Sequence, residues 1–336
     1  MILKSPVWQF CSRAFLWPIV LSILAIPGWT KDAVAATPLQ THNLNPLTLI
    51  YGLPLVSPAR LATGKQSFFS ASYNFSNTLN AESVANEVLF IDGQTDELNL
   101  IYSHPINDKT RLRFRLPLSS HRAGSLDSFI DDFHDAFGFP GGERPNYPTD
   151  QFLFSYTRSG QELLRIDTPN RGIGDLSIDL AYQLSSNAQY AHSLWASIKL
   201  PTGDEQILTG SGKADTSIWL AAENNFSPDW SRYYNIGLLL TGKSSVLSEI
   251  QKNEILFGTA GLEWRIFRAI TLNIQLDFHT AFYQSKTTFL GDSVQISSGG
   301  HIKIDKNRRI DIVVVEDIYV GASPDVTFQL GYSQFF

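Results

Sequence analysis

Cysteine is almost missing from this sequence. The 336-residue chain contains one, Cys11, and it precedes the first hydrophobic run. A single cysteine cannot form an intrachain disulfide, and its place ahead of that run does not suit lipid attachment at a later cleavage point. The rest of the chain has no thiol, which is typical of an exported protein without disulfides or soft-metal sites.

Charge and long hydrophobic runs are also scarce. Charged residues make up 17 % of the chain and the net charge is −6, against about a quarter charged in a typical soluble domain. The acidic balance argues against nucleic-acid binding, which needs basic clusters. Beyond residue 26, no segment has the roughly 18 apolar residues of a membrane helix. A mean hydropathy of −0.07 is still compatible with a barrel, because a barrel spreads apolar residues over alternate positions.

Recognisable catalytic motifs are absent as well. His192 and Ser193 are adjacent, so on a strand they point in opposite directions. Asp277 and His279 share a face, but no serine is identifiable as their partner, which favours a structural hydrogen-bonded pair over a catalytic one. No helix is predicted after the glycine-containing runs 172–175 and 202–204, so neither is a phosphate loop. We assign no catalytic residue, cofactor or metal.

The N-terminus has the features of a secretory signal peptide. Lys4 and Arg13 are followed by an apolar run over residues 14–26 and by small residues at 33–36. We predict a signal peptide over residues 1–36, cleaved after Ala35 or Ala36. A retained anchor is the alternative, but the run is short and contains a proline.

Residues 37–65 are expected to form an irregular lead-in. Pro46, Pro54 and Pro58 fall within a short stretch and exclude a regular central strand. We predict a periplasmic segment that packs into the lumen or against its rim. A disordered linker is the alternative, disfavoured by the Leu, Ile and Tyr content.

Residues 66–336 alternate apolar and polar positions over segments of about ten residues, the length of a tilted membrane strand. The pattern is plainest where Leu112, Phe114 and Leu116 alternate with arginines. Arginines facing lipid would be costly. The pattern therefore predicts that one face looks into a polar lumen, with these side chains on it: Arg111, Arg113 and Arg115.

The last strand resembles the C-terminal strand of bacterial outer-membrane barrels, in which a final Phe after alternating apolar residues is the assembly signal. The matching positions here are Phe328, Leu330, Tyr332 and Phe336. The resemblance implies recognition by the barrel-assembly machinery. An ordinary edge strand is the alternative.

Connections between the predicted strands alternate in length. Short ones fall at 107–109, 185–189, 227–231, 267–269 and 305–308, and long ones at 77–94, 119–150, 201–213, 242–253, 283–293 and 317–325. Short periplasmic turns and long external loops are typical of outer-membrane barrels. The predicted hairpin at 151–168 decides the strand number: fourteen if it spans the membrane, which we favour, and twelve if it belongs to the loop.

The longest loop contains a predicted amphipathic helix over residues 126–137. Its apolar residues recur at helical spacing, and its other face carries acidic residues that include Asp131, Asp132 and Asp135. The helix could constrict the lumen as a selectivity element or could be a solvated cap. A hard-cation site at these carboxylates is a further alternative, although no calcium-loop pattern is present.

Two groups of motifs carry resemblances. The run over residues 198–204, with 172–176 and 209–215, looks like that of barrels related to aromatic-compound and hydrocarbon uptake channels. More closely, 45–47, 52–54 and 129–140 resemble an uncharacterised family of predicted outer-membrane proteins. The resemblance implies a barrel and a location, with no activity to transfer. No long N-terminal hatch is evident, which weakens the inference of hydrocarbon transport.

Together these patterns predict an all-β protein: a transmembrane antiparallel β-barrel of about 14 strands (12 possible), with a short helix in the longest extracellular loop. We expect a location in the Gram-negative outer membrane, in contact with lipid and lipopolysaccharide. The expected function is passive passage of a small-molecule solute. The alternatives are a barrel enzyme acting on lipid or lipopolysaccharide, and a non-conducting structural barrel.

Overall fold

The computed structural model describes residues 35–61, 66–124, 151–318 and 321–336. Almost all regular structure in these ranges is antiparallel β-strand. The exceptions are a four-residue helix, α1 (Pro46–Leu49), and a 3-10 turn at Glu205–Ile207. The strands are β1 (Phe68–Val84), β2 (Glu87–Pro105), β3 (Thr110–Arg122), β4 (Leu153–Arg158), β5 (Gln161–Ile166), β6 (Asn170–Ile173), β7 (Leu176–Ser186), β8 (Tyr190–Leu200), β9 (Asp215–Asn225), β10 (Trp230–Leu240), β11 (Glu254–Arg265), β12 (Ile270–His279), β13 (Ser293–Lys303), β14 (Arg308–Asp317) and β15 (Val326–Phe335).

Twelve of these strands form a closed ring. β1, β2 and β3 pair in order, β3 pairs with β7, and pairing continues through β15. β15 then pairs with β1, from Phe68 opposite Phe335 to Asn77 opposite Val326. The C-terminal strand therefore closes the barrel against the first strand.

The preferred prediction of fourteen barrel strands is wrong, and the alternative of twelve is confirmed. The 151–168 segment does form a hairpin, β4–β5, with positive φ at both Ser159 and Gly160. However, the one wall strand that pairs with β4 in the described ranges is β2, at its Glu87–Asp92 end, and β6 pairs with the corresponding end of β3. Because β2 and β3 also pair directly with each other, no gap in the wall remains for the hairpin to fill.

The predicted long connection at 77–94 is also wrong. β1 and β2 continue as paired strands to a two-residue turn at Ala85–Asn86, and Ala85 has a φ of 55°. The apolar alternation is interrupted after residue 76, where β1 carries mainly polar side chains, while its backbone pairing with β2 continues. Hydrophobicity thus marks the apolar belt and not the ends of the strands.

Most barrel strands bury alternate side chains, whereas β2 is buried continuously from Ile91 to Glu97. On β12 the outer set is Leu272, Ile274, Leu276 and Phe278, and the buried set is Thr271, Asn273, Gln275 and His279. In a closed ring the buried set faces the interior, so this barrel has an apolar exterior and an interior lined largely by polar side chains, with an inward apolar cluster that includes Trp195 and Trp219.

Residues 35–61, here called the inner segment, lie inside the ring. Most of its side chains are buried, and its hydrogen bonds go to inward-facing residues of the wall. No helix in the described ranges is long and apolar enough to cross a membrane. The predicted helix 126–137 and signal peptide 1–36 lie outside the described residues, apart from Ala35 and Ala36.

Candidate functional site: the barrel interior and its inner segment

Side-chain amides of the wall bind the backbone of the inner segment. Each amide accepts a hydrogen bond from a backbone N–H and donates one to a backbone carbonyl, so it stands in for a neighbouring strand. This pairing satisfies buried backbone groups that proline-rich, irregular chain cannot satisfy by itself. The pairs are Gln275 with Leu39 (3.1 and 3.1 Å), Asn235 with Ser57 (3.0 and 3.1 Å), and Gln183 with Leu61 and Ala59 (2.7 and 2.8 Å).

Apolar contacts hold the middle of the inner segment. The Tyr51 ring stacks on Phe282 with 4.9 Å between centroids, and the Tyr51 hydroxyl lies 3.2 Å from that of Tyr283. The Tyr283 hydroxyl donates to the Leu47 carbonyl at 2.8 Å. Burial raises the pKa of both tyrosines above the ordinary value. Both hydroxyls therefore act as neutral hydrogen-bonding groups.

Arg113 and Arg115 point into the interior, and both contact the inner segment. Arg113 pairs with Asp179 at 2.5 Å and donates to the Ser57 hydroxyl at 3.0 Å. Its guanidinium carbon lies 4.6 Å from the centroid of a Trp195 ring. Arg115 lies 3.5 Å from Glu97 and 3.1 Å from His42 Nε2. In the described part of the chain, the carboxylates beside these arginines belong to neighbouring strands. The predicted partners Asp131, Asp132 and Asp135 lie outside the described residues.

Arg111 differs from the other two arginines. It donates to the Ser103 hydroxyl at 3.1 Å and to the Gln66 carbonyl at 3.2 Å, and its guanidinium carbon lies 6.0 Å from the Phe68 ring centroid. None of these partners is charged. Arg111 borders a cavity of about 410 Å³ at the end of the barrel that carries the short turns.

The glycine-containing motifs form a loop anchor around Lys199. Its ammonium contacts Asp175 at 2.5 Å, Asp215 at 3.1 Å and Ser211 at 2.5 Å, and donates to the Ile50 carbonyl at 3.0 Å. Asp175 also accepts hydrogen bonds from the backbone N–H groups of Gly203 and Ser211. One buried ion cluster thus joins the 201–214 connection, the wall and the inner segment. The sequence analysis did not predict this convergence.

Asp277 and His279 do not form the hydrogen-bonded pair that the sequence favoured. Asp277 accepts hydrogen bonds from Thr41 at 3.1 Å and from Thr259 at 2.6 Å. His279 Nε2 lies 3.0 Å from the Asn43 amide. His279 is buried, Asp277 is half-buried, and both hold the inner segment. The described residues contain no group of three or more metal-ligating side chains.

The fold resembles that of a solved outer membrane channel, and two other solved structures are less similar. The outer membrane channel COG4313 from Pseudomonas putida F1 has 12% sequence identity to this chain and a TM-score of 0.54, covering 85% of this chain and 98% of that one. The P. putida toluene transporter TodX has 13% identity and a TM-score of 0.40, covering 88% and 93%. The NanC porin has 6% identity and a TM-score of 0.47, covering 80% and 98%.

At the level of sequence, no curated protein matches the chain. A family model does: that of DUF3187, described as a protein of unknown function, matches residues 15–336. The match extends from the apolar run near the N-terminus through the whole of the closing strand β15. The chain therefore belongs to the DUF3187 family.

Proposed function

We propose that this protein is a gated channel of the Gram-negative outer membrane that passes a small solute through the barrel. In this proposal residues 1–36 are a cleaved signal peptide, 37–65 form the lumen segment and 66–336 form the barrel. The observation that carries the proposal is a closed ring whose outer face is apolar and whose inner face is polar. The barrel fold shared with the COG4313 channel supports it.

The outer face is suited to contact with lipid. Exposed aliphatic side chains lie side by side across strands, as where Ile236 of β10 pairs with Leu220 of β9. Near the short turns, the rings of Trp230 and Trp264 stack with 5.2 Å between centroids, as expected of an aromatic girdle at a membrane interface. An apolar belt of this kind on a water-exposed barrel would favour association. We infer that acyl chains and lipopolysaccharide cover it.

The inner segment must move before a solute can pass through the barrel. It fills the space where a solute would pass, and amides, ion pairs and stacked rings hold it. Passage therefore requires the segment to shift. Its hydrogen bonds and ion pairs are made to groups that water or a solute could satisfy in turn, so displacement is possible without unfolding the wall. In this proposal Arg111, Arg113 and Arg115 then set the charge selectivity of the open lumen.

A second constriction is proposed from sequence alone. The amphipathic pattern over 126–137, with Asp131, Asp132 and Asp135 on its polar face, fits a helix at the opposite mouth. Deleting this stretch is expected to raise the single-channel conductance. If the conductance is unchanged, the stretch is a cap and not a constriction.

A reversible cross-link tests whether the inner segment is the gate. The side-chain oxygens of Thr41 and Ser297 lie 3.1 Å apart, a separation that a disulfide between cysteines at these positions can span. The variant Thr41→Cys/Ser297→Cys is purified without residues 1–36, and therefore without Cys11, and measured in planar bilayers. We expect openings under reducing conditions, none after oxidation, and recovery on reduction. Thr41→Cys alone is the control, and its channel openings should be the same under oxidising and reducing conditions.

Other outcomes exclude the gate. Equal currents in the oxidised and reduced variant would show that solutes pass without movement of the inner segment. No current in any state would favour a structural barrel. If a protein that carries no current released fatty acid from outer-leaflet lipids, the alternative of a barrel enzyme acting on lipid would be favoured.

A further inference from the structure

The cavity at the short-turn end combines a basic wall with an apolar one. It holds about 410 Å³, within the usual range for small-molecule sites. It lies between the start of the inner segment, the ends of β1 and β15, and the turn between β13 and β14. Its basic side chains include Arg60, Arg111, Lys303, Lys306, Arg308 and Arg309.

The carboxylates at this cavity are already engaged. Glu263 pairs with Arg265 at 3.0 Å and accepts a hydrogen bond from the Thr37 backbone nitrogen at 2.6 Å. Asp305 pairs with Arg308 at 2.6 Å. Neither is free to neutralise the remaining cations. Arg60 and Arg309 are paired with Glu223 at 2.8 Å and Asp311 at 2.7 Å. Among the described contacts, the excess positive charge of the cavity therefore comes from Arg111, Lys303 and Lys306.

Two buried arginines have unused capacity to donate hydrogen bonds. Arg60 and Arg111 are each 7% exposed. Arg60 uses Nε for Glu223 and Nη1 for Ser186, while its buried Nη2 has no hydrogen-bond partner among the described residues. Arg111 has only neutral partners within the same ranges. Buried guanidinium N–H groups without a hydrogen-bond partner are unusual, and carboxylate is one of the groups that their planar geometry matches best.

Apolar side chains complete the lining. Phe68, Phe335, Val56 and Trp195 border the same cavity. The guanidinium carbon of Arg111 lies 6.0 Å from the Phe68 ring centroid, and that of Arg309 lies 5.8 Å from that of Phe335. A ligand here would meet cations and aromatic surface together. An inorganic anion without an apolar part would contact only the cations.

We propose that this cavity binds a small organic carboxylate. Its carboxylate group is held by Arg60 and Arg111, and its apolar body lies against Phe68 and Val56. As an assignment of solute class the inference rests on the proposed channel function. Binding itself depends only on the cavity.

Calorimetric titration in detergent micelles tests the site without requiring conduction. The full mature chain is titrated with benzoate, with benzyl alcohol as a neutral analogue of similar shape, and with inorganic phosphate. We expect benzoate to bind at least tenfold more tightly than either. We expect Arg111→Gln to weaken benzoate binding at least tenfold, and Arg111→Lys to weaken it less. Arg165→Gln, a matched change on the exposed hairpin, should leave it unaltered.

Several results would overturn the site. If benzyl alcohol bound as tightly as benzoate, the site would not be specific for an anion. If phosphate bound as tightly as benzoate, the apolar side chains would not contribute to binding. If the folded Arg111→Gln variant bound benzoate as tightly as the unaltered protein, Arg111 would not be part of the binding site. If Arg111→Gln does not fold, the affinities of the unaltered protein for the three ligands still test the proposed site. A channel that conducts but does not bind benzoate would refute the site alone, and a binding protein that never conducts would refute the channel alone.

Discussion

The side-chain amide of Gln275 pairs with both backbone polar groups of Leu39: it accepts from the N–H and donates to the carbonyl, each at 3.1 Å. The two residues are 236 positions apart in the chain. A wall residue thus does for the inner segment what a neighbouring strand does in a sheet. Unlike a strand, a side chain can release the segment by a change of rotamer.

Removing these amides should loosen the inner segment. Gln275→Leu and Asn235→Leu each leave a buried backbone N–H and carbonyl unpaired, at a cost of about 1–3 kcal/mol per unsatisfied group. We expect the double variant to show faster proteolysis within residues 37–61 and more frequent channel openings. Gln329→Leu is the matched control, because Gln329 also faces inward but has no hydrogen bond to the inner segment among the described contacts. An equal effect of Gln329→Leu would mean that lumen polarity in general, and not backbone pairing, holds the segment.

Lys199→Met should destabilise the barrel strongly. The substitution leaves Asp175 and Asp215 buried without their shared cation, and loss of one partner from a buried ion cluster costs about 3–5 kcal/mol. Urea unfolding in detergent, followed by tryptophan fluorescence, measures the change. Lys243→Met removes an exposed lysine from a neighbouring connection and should change the free energy of unfolding by less than about 0.5 kcal/mol. If both variants lost a similar amount of unfolding free energy, the ion cluster around Lys199 would not be what stabilises the barrel.

Stability should fall at alkaline pH because of Tyr51 and Tyr283. Burial raises the pKa of each above its value in the unfolded chain. The folded state therefore keeps protons that the unfolded state loses above about pH 10, and the free energy of unfolding falls as pH rises from there, by about 1.4 kcal/mol per pH unit and group. Urea unfolding between pH 9 and 12 measures the slope.

Tyr283→Phe removes one of the two groups and should make that slope shallower. Tyr182→Phe, on the outer face, is the control for loss of a hydroxyl. A slope unchanged by Tyr283→Phe would show that other groups cause the alkaline loss.

A charge on the outer face should be costly in lipid. Ile274 lies in the middle of β12 and is 57% exposed, so Ile274→Lys should cost about 2–4 kcal/mol in liposomes if this position is near the bilayer midplane. Ile304→Lys places the same charge at the turn between β13 and β14 and should cost about 0–1 kcal/mol. Reversible unfolding in liposomes measures both. Equal costs would contradict the proposed membrane placement.

Phe336→Ser should impair assembly in cells but not folding in the test tube. The Phe336 backbone exchanges two hydrogen bonds with Ser67, at 3.0 and 3.1 Å, and the substitution keeps both. The exposed ring is the part that the assembly machinery would recognise, together with Phe328, Leu330 and Tyr332. We expect less folded barrel in outer-membrane fractions and unchanged refolding into detergent. Phe267→Ser, which also removes an exposed ring near the short turns, should assemble normally.

Sequence alone was sufficient for features set by neighbouring residues. Alternation identified the inward face of β3, with Arg111, Arg113 and Arg115, and the outward face of β15. Ser159-Gly160 identified the β4–β5 turn. A strand directs successive side chains to opposite faces, so these features require no knowledge of distant partners.

The tertiary structure decided the features that depend on distant partners. Direct pairing of β2 with β3 leaves no place in the ring for the β4–β5 hairpin, and no local pattern reports that pairing. The amides that hold the inner segment and the carboxylates that share Lys199 come from strands far apart in the chain. Periodicity states that these polar groups face inward. Only closure of the barrel, which brings twelve strands around one interior, determines which of them meet.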